Sequence, residues 1–276
     1  MNINTMQEKH LAAAFQLTQQ VGWPHRLEDW QQMLKLGKGV VAESEGHLLG
    51  TTMFWPWGER YASIGLVIVS AHMQGKGLGS QLMRAALARL PEVNVRLHAT
   101  AEGKALYLKY GFMPDGRVEQ YQGVLTHPLS PSFASPGQTL RRAGPQDHTA
   151  LTKLDCQAHG QYRPELIRWL LDSQINVLEE QGKISGFAAL RHFGRGCYIG
   201  PVICGDLAAA KRLIASLVAE RCGEFVRVDA CAGTGLADWL TSSGLTQKDE
   251  TLAMIRGEPW TPDGVRPFAL VSQAMG

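Results

Sequence analysis

Ile64-Gly65-Leu66-Val67-Ile68-Val69 runs into Ser70-Ala71-His72-Met73, then Gln74-Gly75-Lys76-Gly77-Leu78-Gly79, then Ser80-Gln81-Leu82-Met83-Arg84-Ala85-Ala86-Leu87. The first stretch is an unbroken apolar, β-branched run of strand length. The last carries apolar residues at 78, 82, 83, 86, 87 and 90, which is helical spacing, and Pro91 ends it. Strand, glycine-rich turn and helix N-terminus therefore follow one another. The first turn of a helix leaves N–H groups without partners, and the dipole adds positive charge there. Glycines at 75, 77 and 79 let a ligand approach that backbone. The loop suits a phosphate or pyrophosphate.

Three glycine-loop patterns compete for it. The dinucleotide pattern G-x-G-x-x-G fails, because its third glycine falls on Ser80 or Leu82. The Walker pattern fails because no Lys-Ser or Lys-Thr pair follows the last glycine. The pattern Q/R-x-x-G-x-G/A is satisfied by Gln74, Gly77 and Gly79. It resembles the acyl-CoA pyrophosphate loop of the GNAT N-acetyltransferase superfamily. A second stretch, Ala105-Leu106-Tyr107-Leu108-Lys109-Tyr110-Gly111-Phe112, is similar to that family's A-x-x-L-Y-x-x-x-G-F pattern with the alanine spacing compressed. By its residues alone it is an amphipathic helix with a Gly111 C-cap, and the two readings are compatible.

Composition bounds the rest. The chain has 276 residues, enough for two domains. It is 45% apolar and 19% charged with net charge +2, so nothing global argues for nucleic-acid or membrane binding. No apolar run is long enough to span a bilayer, and the first residues do not resemble a signal peptide. A cytoplasmic location is expected. Five cysteines, all in the second half and without a C-x-x-C pair, read as reduced thiols. Nine histidines show no metal-ligand spacing, so no metal is expected.

Along the first half the order is a helix over 6–20, a break at Gly22 and Pro24, a helix over 28–36, two strands over 40–43 and 47–55, and the strand and loop above. Then follow a strand over 93–99, a helix over 102–110 and a strand over 118–125. Leu129 to Gln138, rich in Pro, Ser and Gly, reads as a linker. Beyond it the first half recurs. Ile199-Gly200-Pro201-Val202-Ile203 repeats Ile64-Gly65-Leu66-Val67-Ile68 at an offset of 135 residues. Ser185 to Ala188 echoes Leu49 to Thr52, and Trp239 to Leu245 echoes Leu106 to Phe112, at nearly the same offset. The expected fold class is α/β (α+β mixed): two tandem GNAT-like domains, each a mixed, mostly antiparallel sheet flanked by helices. The domains are expected at 1–128 and 139–276, joined by a linker over 129–138. The second copy reads as degenerate: no glycine lies between Gly205 and Gly223, Asp206 takes the helix start, and Leu240 stands at the position of Tyr107.

The resemblance implies acetyl-CoA as co-substrate and a small-molecule or amino-acid-derived primary amine as acceptor. Alternatives are protein or peptide acetylation and a non-catalytic acyl-CoA sensor. It implies that backbone groups of Val67, Ile68 and Val69 hold the pantetheine arm and those of Gln74, Gly75, Lys76, Gly77, Leu78, Gly79 and Ser80 the pyrophosphate. It adds Tyr110 to the CoA contacts. Thr100 replaces the asparagine that many members place against CoA. Tyr107 takes the general-acid position, which suits a hydroxyl whose pKa of roughly 10 keeps it protonated. No pattern singles out a base among His25, Glu59, His72 and His98. Trp23, His25 and Trp55 are candidate acceptor contacts, apt for an apolar amine or a cation over ring faces. The assembly expected is a monomer, as a pseudo-dimer of domains, or a homodimer.

Overall fold

The computed structural model describes residues 1–129 and 137–276, so most of the expected linker, 130–136, lies outside the described residues. The first half forms β1 (Asn2–Thr5), α1 (Leu11–Gln20), α2 (Leu27–Leu36), β2 (Lys38–Ser44), β3 (His47–Trp57), β4 (Tyr61–Val69), α3 (Leu78–Leu87), β5 (Asn94–Ala99), α4 (Lys104–Leu108) and β6 (Met113–Val124). The second forms β7 (Gln138–Arg142), α5 (His148–His159), α6 (Pro164–Leu170), β8 (Gln174–Glu180), β9 (Lys183–Phe193), β10 (Gly196–Cys204), α7 (Leu207–Leu217), β11 (Phe225–Cys231), α8 (Leu236–Ser242), β12 (Thr246–Arg256) and β13 (Arg266–Ala269). Strands β1, β7 and β13 have no counterpart in the sequence reading, and β7 takes in Gln138, the last residue of the expected linker. Each is only four or five residues long, too short to show a period. Among the described residues no helix is long and apolar enough to cross a membrane.

The thirteen strands form one sheet in the order β1-β2-β3-β4-β5-β12-β6-β11-β13-β10-β9-β8-β7. The two halves exchange strands. β6, which follows α4, pairs with β11 of the second half from Phe225↔Val124 to Cys231↔Val118. β12, which follows α8, pairs with β5 of the first half from Leu252↔Ala99 to Arg256↔Val95. The two exchanged strands also pair with each other. The division expected near 129–138 is thus one of chain order, and the sheet runs through it.

Helices cover both faces. On one, α1, α2, α5 and α6 share a single core that spans both halves, with Trp30, Met33 and Trp55 in the same cluster as Ile167, Leu170 and Phe187. On the other, α3 and α4 lie over β2–β5, and α7 and α8 over the second half's strands, each with its own core. In α3 the residues at helical spacing, Leu78, Leu82, Met83 and Ala86, are the buried ones.

Parallel pairing occurs at β4–β5 and at β10–β11, and both pairs part. β4 meets β5 only at Tyr61↔Asn94, Ala62↔Val95 and Ser63↔Arg96. Beyond Ser63 a β-bulge turns β4 away: Thr51 and Met53 of β3 face Ile68 and Gly65, so β4 carries one extra residue. Leu66 sits in the bulge at φ +52°, and the Thr51 hydroxyl donates to its carbonyl at 2.9 Å. The second half repeats the bulge between Ile199 and Val202, around a cis Gly200–Pro201 bond. There the wedge is filled. β13 pairs with β10 at Val202↔Ala269, Ile203↔Pro267 and Cys204↔Arg266, and with β11 at Ala230↔Ala269.

The same segment continues into the first wedge. The Ser63 hydroxyl donates to the Met275 carbonyl at 2.9 Å, and a Cβ on Gly65 would lie 2.7 Å from Ala274 Cα. Arg163 anchors it. Its guanidinium, fully buried, grips Asp155 through two bonds of 2.6 and 2.8 Å and donates to the carbonyls of Met275 and Gly276. Arg163→Met strands a buried carboxylate and frees this segment, so stability should fall by about 3–5 kcal/mol. Arg163→Met with Asp155→Asn should recover much of it. Urea unfolding of both variants reads this; a cost within about 0.5 kcal/mol for Arg163→Met, typical of a surface change, would show that the pair does not hold the segment.

Candidate active site

The mouth of the first wedge is built by β4, the loop after it and α3. Beyond Ser63 the side of β4 that faces β5 has no neighbouring strand. Its backbone groups at Val67 to Val69 are the ones that in the second half, at Val202 to Cys204, are taken by β13. The chain then makes a single 3-10 turn, Ala71–Met73, and enters α3 with Gly77 at φ +79° as the N-cap. The first helical bond runs from Gln81 N–H to the Gly77 carbonyl, which leaves the N–H groups of Leu78, Gly79 and Ser80 unbonded.

The three glycines serve different ends. Gly75 and Gly77 hold φ of +74° and +79°, and a Cβ on either would meet nothing within 4 Å. Their need is conformational. Gly79 has ordinary backbone, but its Cβ would come 3.3 Å from Leu106, so it is small to let α4 close on α3. Gln74 donates to the Val69 carbonyl at 3.2 Å and so ties the loop to the strand end. Lys76 is exposed, whereas Leu78 is buried in the α3 core and offers the loop only its backbone.

Tyr107, on α4, is 7% exposed. Its ring packs edge-on against Phe112 at 6.2 Å and lies against Gly103, where a Cβ would come within 3.0 Å. Among the described residues the hydroxyl has no hydrogen-bond partner, and burial pushes its pKa up to about 12, so it carries its proton at neutral pH. Tyr110 differs: its hydroxyl lies 2.6 Å from Ser80 Oγ and donates to the Ser80 carbonyl at 2.7 Å. That hydroxyl is spent on joining α4 to the first turn of α3. Thr100 begins the same turn and accepts from Gly103 N–H at 3.3 Å.

Behind the wedge lies a narrow cavity of about 90 Å³ that borders Gly65, Leu66 and Thr100. Trp23 and His25 line it. Trp55 does not, and here the expectation is corrected: Trp55 is fully buried, and its indole N–H donates to the Met33 carbonyl of α2 at 3.0 Å. It lies in β3, and its neighbours are the interdomain core. Of the four candidate bases, His25 and His98 reach the cavity. Glu59 sits in the exposed turn between β3 and β4, beside a separate depression near Pro91, and His72 is exposed in the turn after β4. His98 Nδ1 lies 2.8 Å from the Gln273 carbonyl. A carbonyl only accepts, so Nδ1 carries the proton and Nε2 the lone pair. Burial lowers the pKa of both His25 and His98 to about 4, so both rings are neutral at pH 7.

The remaining wall comes from residues no local motif marks: Gln120 on β6, Thr251 on β12, Arg227 on β11, Phe193 on β9, and 272–274. Strand exchange brings Gln120, Thr251 and Arg227 side by side. Nothing near them in sequence signals this, because their neighbours are set by pairing across halves.

Two acetyltransferase matches follow the same division. A model described as the acetyltransferase (GNAT) family matches residues 6–112, and one described as an acetyltransferase (GNAT) domain matches 151–266. A Bacillus subtilis protein named uncharacterized N-acetyltransferase YitH is 27% identical over 98% of this chain and 97% of its own length. A putative acetyltransferase from Pyrococcus horikoshii superposes with a TM-score of 0.79 at 17% identity, over 100% of this chain and 95% of that one. A tandem GNAT protein from the clavulanic acid biosynthesis pathway gives 0.68 at 12% identity, over 95% and 100%. With both halves matched in order, on a fold that parts β4 from β5 above a glycine-lined helix start, the chain belongs to the GNAT N-acetyltransferase superfamily as a member with two such domains in tandem.

Proposed function

We propose that the first domain transfers an acetyl group from acetyl-CoA to the primary amine of a small molecule. The observation that carries this reading is the asymmetry of the two wedges: in one the edge of β4 is free beside a helix start with unbonded N–H groups, and in the other the chain fills the gap itself. The β4 edge at Val67 to Val69 has the backbone groups to pair with a pantetheine arm, and Leu78 to Ser80 have the N–H groups to bind a pyrophosphate. The co-substrate supplies an activated acyl group as a thioester. The chain's part is to orient it, polarise its carbonyl through backbone N–H groups of the bulge, and donate a proton to the departing sulfur.

Tyr107 is the proton donor in this scheme. Its hydroxyl is protonated, unpartnered and held by packing alone, so no internal bond has to break before it acts. His98, with its lone pair on Nε2, can accept a hydrogen bond from an incoming amine directly or through water. The narrowness of the cavity and the wall at 272–274 favour a small acceptor over a protein side chain. The second domain keeps the fold and forms part of the acceptor wall.

Gly77→Glu should lower acetyl-CoA affinity at least about tenfold, because it strains a left-handed position and sets a carboxylate at the anion site. Calorimetric titration reads it, and unchanged affinity would remove the loop from the reading. Tyr107→Phe should reduce kcat by roughly 10²-fold with little change in acetyl-CoA binding, within the range of general acid catalysis. Wild-type turnover would exclude Tyr107 as the acid.

The two histidines add a pH dependence. Their folded pKa of about 4 lies below the unfolded 6.5, so the unfolded chain binds more protons between these values. The stability they contribute is present above pH 6.5 and is lost as pH falls towards 4. Urea midpoints measured over that window should decline, and His98→Gln should make the decline shallower.

A further inference from the structure

The cavity has a polar wall of which the acetyl-transfer reading uses only His98. His98, Thr251, Gln120 and Arg227 lie in one row across β5, β12, β6 and β11. The registers place them on one face: His98 faces Ala253, Thr251 faces Val118, Gln120 faces Asp229, and Arg227 stands two residues from Asp229. The row runs diagonally: three strand spacings, about 14 Å, separate its ends across the sheet, and each step is also displaced by two residues along the strands. The His98 end adjoins the wedge, and the Arg227 end belongs to the second domain.

The row and its surroundings carry polar groups without partners, the nitrogens of Gln273, Arg227 and Arg191 being donors. None of the residues lining the cavity is acidic. Arg227 donates from Nε and Nη2 to both oxygens of the fully buried Asp229, each at 2.8 Å, which leaves Nη1 without a partner. Thr251 is 2% exposed, and its hydroxyl has no partner; nor do the buried side-chain nitrogens Gln273 Nε2 and His25 Nδ1, all on this lining. Behind Phe193 lies Arg191, 4% exposed, stacked on the Tyr198 ring at 4.5 Å. Its Nη2 donates to the Val271 carbonyl, but among the described residues Nε and Nη1 are unpartnered, and no carboxylate forms a salt bridge with it. The other charges nearby are neutralised in pairs, Asp229 by Arg227 and Asp29 by Arg26, so Arg191 leaves the pocket one positive charge in excess. Buried polar groups without partners are costly and are usually met by a ligand or water.

We propose that the acceptor amine also carries a carboxylate, and that Arg227 of the second domain binds it, with Gln120 and Thr251 beside it. The proposal rests on the acetyl-transfer reading above. The amine end lies toward His98 and the bulge at Leu66, and the anion end toward Arg227. Asp229 fixes the guanidinium by two bonds, so the arginine presents a pre-set donor rather than a mobile one. The second domain, without a CoA site of its own, then selects the substrate of the first. An acceptor with a second positive charge is disfavoured by the excess charge of Arg191, even though Trp23 and Phe193 offer ring faces.

The test compares matched acceptors, ω-amino acids of increasing length against their carboxamides, by thiol release at saturating acetyl-CoA. The wild type should prefer acids on the order of 100-fold in kcat/KM. The double variant Arg227→Gln, Asp229→Asn removes both members of the buried pair and should cut that preference below about tenfold, with acetyl-CoA affinity unchanged. Should it fail to fold, Gln120→Glu sets a like charge beside the carboxylate and should raise KM for acids at least tenfold more than it raises KM for the carboxamides. Equal use of carboxamides by the wild type, or a preference that survives these variants, overturns the proposal. Calorimetry with both acceptor series, on protein saturated with acetyl-CoA, separates it from the parent reading. Acid binding without turnover keeps the carboxylate site and sinks acetyl transfer. Binding of acetyl-CoA but of neither series sinks the carboxylate site alone. Absence of acetyl-CoA binding sinks the parent reading.

Discussion

The structure depends on the parting of β4 from β5 after Ser63. A strand that leaves its neighbour exposes a row of N–H and C=O groups, and buried backbone groups must find partners. Both halves inherit the same divergence, enforced by the same bulge at Leu66 and at Gly200–Pro201. They meet the demand differently. In the second half, β13 completes the sheet and closes the gap. In the first, 272–276 fills only the base of the wedge, and the edge beyond it stays available. One stretch of chain, 266–276, therefore sets which half retains an open site.

Strand exchange follows a similar logic. β6 and β12 each complete the other half's sheet, so neither half satisfies its own edges alone. The cavity wall is shared for the same reason. Side chains of Gln120 and Thr251, which belong to different halves by sequence, stand on adjacent strands and face one space. The shared core of α1, α2, α5 and α6 adds apolar burial to this coupling.

Buried charge is handled by pairing. Asp155 with Arg163 and Asp229 with Arg227 are buried and bidentate, and each arginine lies where the halves meet. Such pairs add little net stability against apolar replacements, but losing one partner is costly, so they fix geometry. Arg163 fixes the terminal stretch of the described chain, and Arg227 fixes a donor on the cavity wall. The mutual neutralisation of these pairs makes the uncompensated Arg191 distinctive.

Much of this protein was legible in its sequence. The β-branched run from Ile64, the glycines at 75 and 77 and the period of Leu78 to Ala86 determine strand, loop and helix, because these are local demands on φ, hydrogen bonding and burial. The offset of about 135 residues disclosed the second copy, and Asp206 disclosed its altered loop. The short helix that carries Tyr107 was legible from its spacing to Gly111. Trp55 was not, since an aromatic residue suits a core and a binding site equally, and only its bond to the Met33 carbonyl places it inside. Pairing across halves is set by edges hundreds of atoms apart along the chain. The exchange of β6 and β12, the wedge filled by β13, and the meeting of His98 with Arg227 were therefore decided by the tertiary structure, where long-range backbone pairing is settled by which exposed edges remain to be satisfied.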